Sequence, residues 1–174
     1  VGEHGERYER AFEAYLRLMR LTCLPIEESR RTFVSQQALK SLDFIVRAPG
    51  GQLLLIDVKG RRIPQRRRNL ECWATRDDID SLDRWERSFG AHAMALLVFI
   101  YHLPAANGAI HLAESFCHLD RCYGCVAVAL GEYRRYMRPR SPKWQTVDVP
   151  ASIFRQVARP FSHFVQRSGH ELPD

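Results

Sequence analysis

At 174 residues, with 45% hydrophobic and 26% charged side chains, the chain has the makeup of one globular domain that needs no staple to hold its core. Its longest apolar run, Ala93–Tyr101, is too short to span a membrane, and the charged, amphipathic first twenty residues do not read as a signal peptide. The net charge of +6 favours an anionic partner, while five cysteines at scattered spacing argue against a disulfide scaffold and for a reducing, cytoplasmic setting.

Residues 5–21 predict an amphipathic helix, because Tyr8, Phe12, Tyr15, Leu16 and Met19 recur at helical spacing, with Pro25 ending it. Residues 25–33 read as an edge strand and 36–41 as a polar approach to a strand over Leu42–Arg47. Pro49-Gly50-Gly51 is a turn into a second strand, Leu53–Lys59, apolar on both faces in its first half. An irregular basic loop is expected over 60–72. Asp77–Phe89 predicts a helix, with Ile79, Leu82 and Trp85 three apart and Gly90 closing it. Ala93–His102 reads as a buried strand, Pro104–Gly108 as a loop, and 109–116 and 124–131 as further strands. Ser152–Val165 predicts a last amphipathic helix, kinked or divided at Pro160. The expected fold is α/β: a mixed sheet flanked by helices in an αβββαβ core, about residues 5–102, with a C-terminal βα extension over 103–174 of the same domain.

Within this frame Asp43, Asp57 and Lys59 stand out. Asp43 lies between Leu42 and Phe44 in one apolar strand, where a carboxylate is disfavoured without a role. Asp57 ends the next apolar run, and Lys59, two residues on, shares its face of the strand. Two carboxylates beside one ammonium suit a hard divalent cation, Mg²⁺ or Mn²⁺, and a water directed at a phosphodiester. The Val58 carbonyl is a further oxygen within reach of such a site. The plain alternative is a same-face salt bridge between Asp57 and Lys59 at a strand end. Downstream, Arg61, Arg62, Arg66, Arg67 and Arg68 form a basic cluster that reads as phosphate-contacting, the alternative being a solvated loop.

The stretch Ser41–Val46, the turn, and Leu53–Gly60 with its Asp57-Val58-Lys59 resemble the PD-(D/E)xK nucleases, with Leu42-Asp43 in place of Pro-Asp. The opening Gly5-Glu6-Arg7-Tyr8-Glu9-Arg10 is similar to the Gly-x-x-x-Glu-Arg start of archaeal-type Holliday junction resolvases, whose helical Glu joins the metal site. That resemblance covers residues 5 to about 102. It implies a restriction endonuclease-like fold, Mg²⁺- or Mn²⁺-dependent endonuclease activity on nucleic acid, DNA before RNA and including structured or branched DNA, and a homodimer. It also implies Glu9, Asp43 and Asp57 as metal ligands, with Lys59 positioning or helping to activate the attacking water. Glu13, one turn from Glu9, is the rival acid. Tyr8–Glu13 further resembles the string that names the HYExAFE proteins, with Arg7 in place of the family's His, a match that supplies no activity.

Two weaker signals remain. Cys117, Cys122 and Cys125 with His118 have knuckle-like spacing for zinc, but the flanks read as a strand entry, so buried or edge thiols are the preferred reading. Glu132–Arg140, continuing to Trp144, interleaves aromatics with arginines; stacking on unpaired bases is one reading, and Tyr133, Tyr136 and Met137 covering the sheet is the preferred one. Two other functional classes stay open: a nucleic-acid-binding module that does not cut, and a protein whose basic loop docks an acidic partner.

Overall fold

A computed structural model of the chain describes residues 3–26, 33–34, 37–38, 42–63, 69–103 and 112–167. In chain order the elements are α1 (Glu3–Leu18), β1 (Thr22–Pro25), β2 (Phe33–Val34), β3 (Gln37–Ala38), β4 (Phe44–Arg47), β5 (Leu53–Arg62) and β6 (Ala74–Thr75). These are followed by α2 (Arg76–Phe89), β7 (Ala93–Leu103), β8 (Ser115–His118), β9 (Arg121–Ala129) and α3 (Leu130–Tyr136). The C-terminal part is β10 (Arg138–Ser141), β11 (Thr146–Asp148), α4 (Ala151–Val157) and α5 (Phe161–Arg167).

The central sheet has six strands in the order β1-β4-β5-β7-β9-β8. β5 and β7 run parallel, from Leu53 opposite Ala93 to Arg62 opposite His102, and the other neighbours in this sheet are antiparallel. A parallel pair needs a crossover, which α2 supplies. Strand alternation then assigns the two faces of β5. Leu54, Ile56 and Val58 pack under α1 and α5 with Tyr8, Phe12, Leu16 and Phe161. Leu55 packs on the other side with Ile79, Leu82 and Trp85 of α2 and with Phe99, Tyr133 and Phe154. Asp57, Lys59 and Arg61 follow Leu55 at a period of two and so belong to the α2 side.

The helix α1 buries Tyr8, Ala11, Phe12 and Leu16, while its other side carries the i,i+4 pairs Glu6–Arg10 and Glu13–Arg17. It ends at Leu18, before the residue 21 expected from sequence, and Arg20 turns left-handed (φ 57°) to start β1. Pro25 does not stop a helix here. It closes an edge strand paired with Phe44, a position where a missing N–H is tolerated. The expected edge strand at 25–33 thus lies earlier, at Thr22–Pro25, and residues 27–32 lie outside those described.

Thr75 caps α2 through a reciprocal box. Its hydroxyl accepts from the Asp78 amide at 3.1 Å, and the Asp78 carboxylate accepts from the Thr75 amide at 2.8 Å. Gly90 closes the helix with φ 70°, conformational space that glycine takes cheaply. The segment expected to be one strand at 124–131 is β9 up to Ala129, with α3 starting at Leu130. The C-terminal helix is divided at Pro160 as expected: the chain breaks between α4 and α5, and Arg159 there exchanges backbone hydrogen bonds with Ala127 of β9. The loop expected at Pro104–Gly108 lies outside the described residues.

The cysteine expectation needs correcting. Cys117 and Cys122 face each other across the β8–β9 hairpin, with Cα atoms 4.0 Å apart, and are joined as a disulfide. Cys125 is a buried thiol in the core under α1. A disulfide takes two of the three sulfurs that zinc would need, and adjacent partners on a hairpin form it with little loop to close.

Candidate active site

The backbone brings the first two acids together. Asp43 sits just before β4, donates its amide to the Ile56 carbonyl at 3.0 Å, and accepts the Val58 amide on Oδ2 at 2.6 Å. Its carboxylate is therefore fastened to the amide of the residue after Asp57. Burial first, then the charge of Asp57, push the Asp43 carboxyl well above the usual carboxylate range; the Val58 hydrogen bond pulls back, and Glu9 adds a further push upward. Glu9 thus makes itself felt at Asp43 from α1. Glu13 instead pairs with Arg17 at 2.5 Å and bears on Cys23.

The Lys59 ammonium lies 2.9 and 2.7 Å from the two Asp57 oxygens and 3.1 Å from Asp78 Oδ2. Burial works against its charge, but Asp57, then Asp78, and more weakly Asp43 hold its pKa above the ordinary lysine range. It is an ammonium that donates, locked between two carboxylates, and not a free base. Asp78 was not singled out from sequence. Its signal was there, in the Thr75-x-x-Asp78 capping box ahead of an apolar run, but that pattern explains a helix start without calling for a partner on β5. One carboxylate serves both ends: it caps α2 and clamps Lys59.

The basic cluster divides. Arg61 does not reach toward a polymer; it is 8% exposed and lies over Trp73, its guanidinium carbon 3.8 Å from the ring centroid. It donates to the Gly60 carbonyl at 2.8 Å and to the Trp73 carbonyl, which turns the guanidinium into the fold. The physical reason is the strand: β5 continues through Arg62 rather than ending at Lys59, so alternation turns Arg61 into the α2-side core. Arg62 is exposed on the opposite face, away from Lys59, near His102, whose pKa falls through burial and then the charges of Arg121, Arg7 and Arg62. Arg66, Arg67 and Arg68 lie outside the described residues.

No group of three His, Cys, Asp or Glu side chains among the described residues gathers in metal-ligand geometry. Asp43 accepts from an amide on one oxygen, and Asp57 accepts from Lys59. The donor chemistry nonetheless suits a hard cation. Two carboxylates lie close enough for one to raise the other's proton affinity, with a third acid adding to the effect, and such an excess of negative charge is what a divalent ion relieves.

Neither a protein-family model nor a curated protein sequence matches the chain. Among solved structures it is similar to Hjc of Archaeoglobus fulgidus, a Holliday junction resolvase from an archaeal hyperthermophile. The TM-score is 0.55 at 14% identity, over 92% of this chain and 98% of that one. This chain has a restriction endonuclease-like fold. At that identity the likeness speaks to the architecture alone, and the αβββαβ order of α1, β1, β4, β5, α2 and β7 is the order expected from sequence. The described helices include none long and apolar enough to cross a membrane.

Proposed function

We propose that the protein is a metal-dependent nuclease that hydrolyses phosphodiester bonds in DNA, structured or branched DNA included. The observation that carries this reading is the fastening of Asp43, at the start of β4, to the Val58 amide beside the Asp57–Lys59 pair on β5 of a restriction endonuclease-like fold. A solved structure of that shape belongs to a Holliday junction resolvase, which makes branched DNA the first substrate to try.

In this reading Asp43 and Asp57 would hold Mg²⁺ or Mn²⁺, with Glu9 of α1 as the third acid. The ion, when bound, supplies Lewis acidity toward the phosphoryl oxygen and lowers the pKa of a water. The protein's own residues do the rest. The Val58 amide orients Asp43, so one carboxylate oxygen is committed to the backbone and the other is left for the ion. Lys59, held by Asp78, keeps a positive charge beside Asp57, where negative charge develops on the phosphoryl oxygens as water adds and the sugar oxygen leaves. Asp78 gives that ammonium a second carboxylate partner beside Asp57.

The second reading is a binding module that kept this fold without cutting. On its side is the absence, among the described residues, of a ready-made group of three metal ligands. Incubating the protein with end-labelled single strands, duplex, a four-way junction and RNA, each with Mg²⁺, Mn²⁺ or EDTA, separates the two. Metal-dependent scission of any of them supports the nuclease; binding to them all with no scission in either metal supports the module.

A further inference from the structure

We propose that the β10–β11 hairpin is a base-stacking element, which makes nucleic acid with unpaired bases the substrate class presented to the carboxylate–lysine site; this rests on the nuclease reading for the polymer it names. Tyr133 and Tyr136 are taken up by packing, and the Tyr133 hydroxyl donates to the Cys72 and Val147 carbonyls. Trp144 is not taken up. It stands 69% exposed at the hairpin tip, with the Lys143 ammonium 5.3 Å from its ring centroid. Arg138 and Arg140 lie exposed on the neighbouring strand, paired to Asp148 and Glu71, so Lys143 is the cation beside the indole and the two guanidiniums flank it from the strand. A flat aromatic surface among cations suits bases and the phosphates that join them.

The hairpin is also tied to the start of α2. Its turn is closed by Gln145, in left-handed conformation (φ 47°), whose amide and side chain both donate to the Pro142 carbonyl. The Gln145 carbonyl accepts the amide of Arg76, the first residue of α2, at 2.8 Å. Next along the strand, Thr146 pairs with Thr75, the cap of the same helix turn in which Asp78 grips Lys59. Trp144 is thus anchored through the two residues that follow it, Gln145 and Thr146, to the turn that positions the ammonium. Bases in an intact duplex are already stacked, so an indole here gains from single strands, overhangs and open branch points. The cleft of about 530 Å³ between α1 and the β8–β9 hairpin is a weaker candidate, because Glu6 and Asp120 share its lining with Arg7, Arg10 and Arg121.

Fluorescence anisotropy in EDTA and low salt, where no bond is cut, tests the idea with a labelled single strand and a blunt duplex of the same sequence. Trp144→Ala should weaken single-strand binding about 10-fold, the worth of roughly one stacked base, and duplex binding less than about 2-fold. Trp144→Phe should recover most of the difference. Because the side chain is exposed, both variants should keep the wild-type melting temperature. Equal losses on both probes, or no loss on either, overturn the proposal while leaving the nuclease reading in place. Failure of the wild type to bind any nucleic acid overturns both and points to an acidic protein partner. The expected discrimination without metal-dependent cutting supports the hairpin and removes only the nuclease.

Discussion

Gly60, the residue after Lys59, has no room for a side chain. A Cβ built there would lie 2.1 Å from Tyr8 Cδ2 and 2.4 Å from Cγ, far inside van der Waals contact. The Tyr8 ring has little freedom to retreat. It is 3% exposed, packs edge-on against Tyr123 at 5.9 Å between centroids, and its hydroxyl donates to the Arg61 carbonyl at 3.2 Å. Gly60→Ala should therefore cost the ~1–3 kcal/mol typical of overpacking. For a domain of this size that lowers the melting temperature by about 3–9 °C. Tyr8 precedes Glu9, so the wedge also displaces α1 from the strand that carries Asp57 and Lys59. The assay is calorimetric melting of a double-mutant cycle with Tyr8→Ala. Losing the ring alone should cost ~3–5 kcal/mol, after which adding Gly60→Ala should cost under about 0.5 kcal/mol. An equal penalty for Gly60→Ala with and without the ring would refute the steric reasoning, as would an unchanged melting temperature in the single variant.

Asp78→Asn keeps an oxygen for the Thr75 amide but removes the second of the two carboxylate charges that grip Lys59, leaving the ammonium to Asp57 alone. Melting should move by less than about 3 °C, while metal-dependent cleavage falls roughly 10- to 100-fold through misplacement of the ammonium; a melting scan and initial rates on one preparation check both. Cys72 is buried, and burial pushes its thiol up to about 11; the thiol donates to the Val149 carbonyl at 3.4 Å. Native Cys72 should therefore resist iodoacetamide at pH 8, read by peptide mass after quenching. The sign for stability follows from the same shift. Between about 8.5, where an unfolded thiol ionises, and about 11 the unfolded chain loses its proton first. Stability from Cys72 is thus complete below about 8.5 and is lost as pH rises toward 11. Urea midpoints of wild type and Cys72→Ala should converge across that window; a constant gap would contradict the shift.

The α2–β7 crossover and the α1 face were legible because apolar periodicity and burial point the same way at Tyr8, Phe12, Ile79 and Leu82. Asp43, Asp57 and Lys59 were legible as candidates because a carboxylate inside an apolar strand conflicts with its surroundings, and conflicts mark sites. What sequence could not give was reach. The Arg61 side chain was expected at a surface because the strand was ended three residues too early, which hides the alternation that sends it onto Trp73. Asp78 had a complete local explanation as a cap, so nothing in its neighbours asked for Lys59, nineteen residues back on another element. The Cys117–Cys122 pairing escaped because it depends on the hairpin register, which the count and spacing of cysteines do not contain.

The most direct measurement is scission of a labelled four-way junction by wild type and Asp57→Asn at matched concentrations, in Mg²⁺ and in EDTA. Asp57→Asn keeps the shape of the side chain and removes the charge that faces both Lys59 and the cation. Wild-type cutting that needs the metal and falls by at least about 100-fold in Asp57→Asn, a loss of ~2.7 kcal/mol in transition-state stabilisation, is the expected result. Cutting that survives in Asp57→Asn, or that proceeds equally well in EDTA, would contradict the assignment of the Asp43–Asp57–Lys59 group as the catalytic centre.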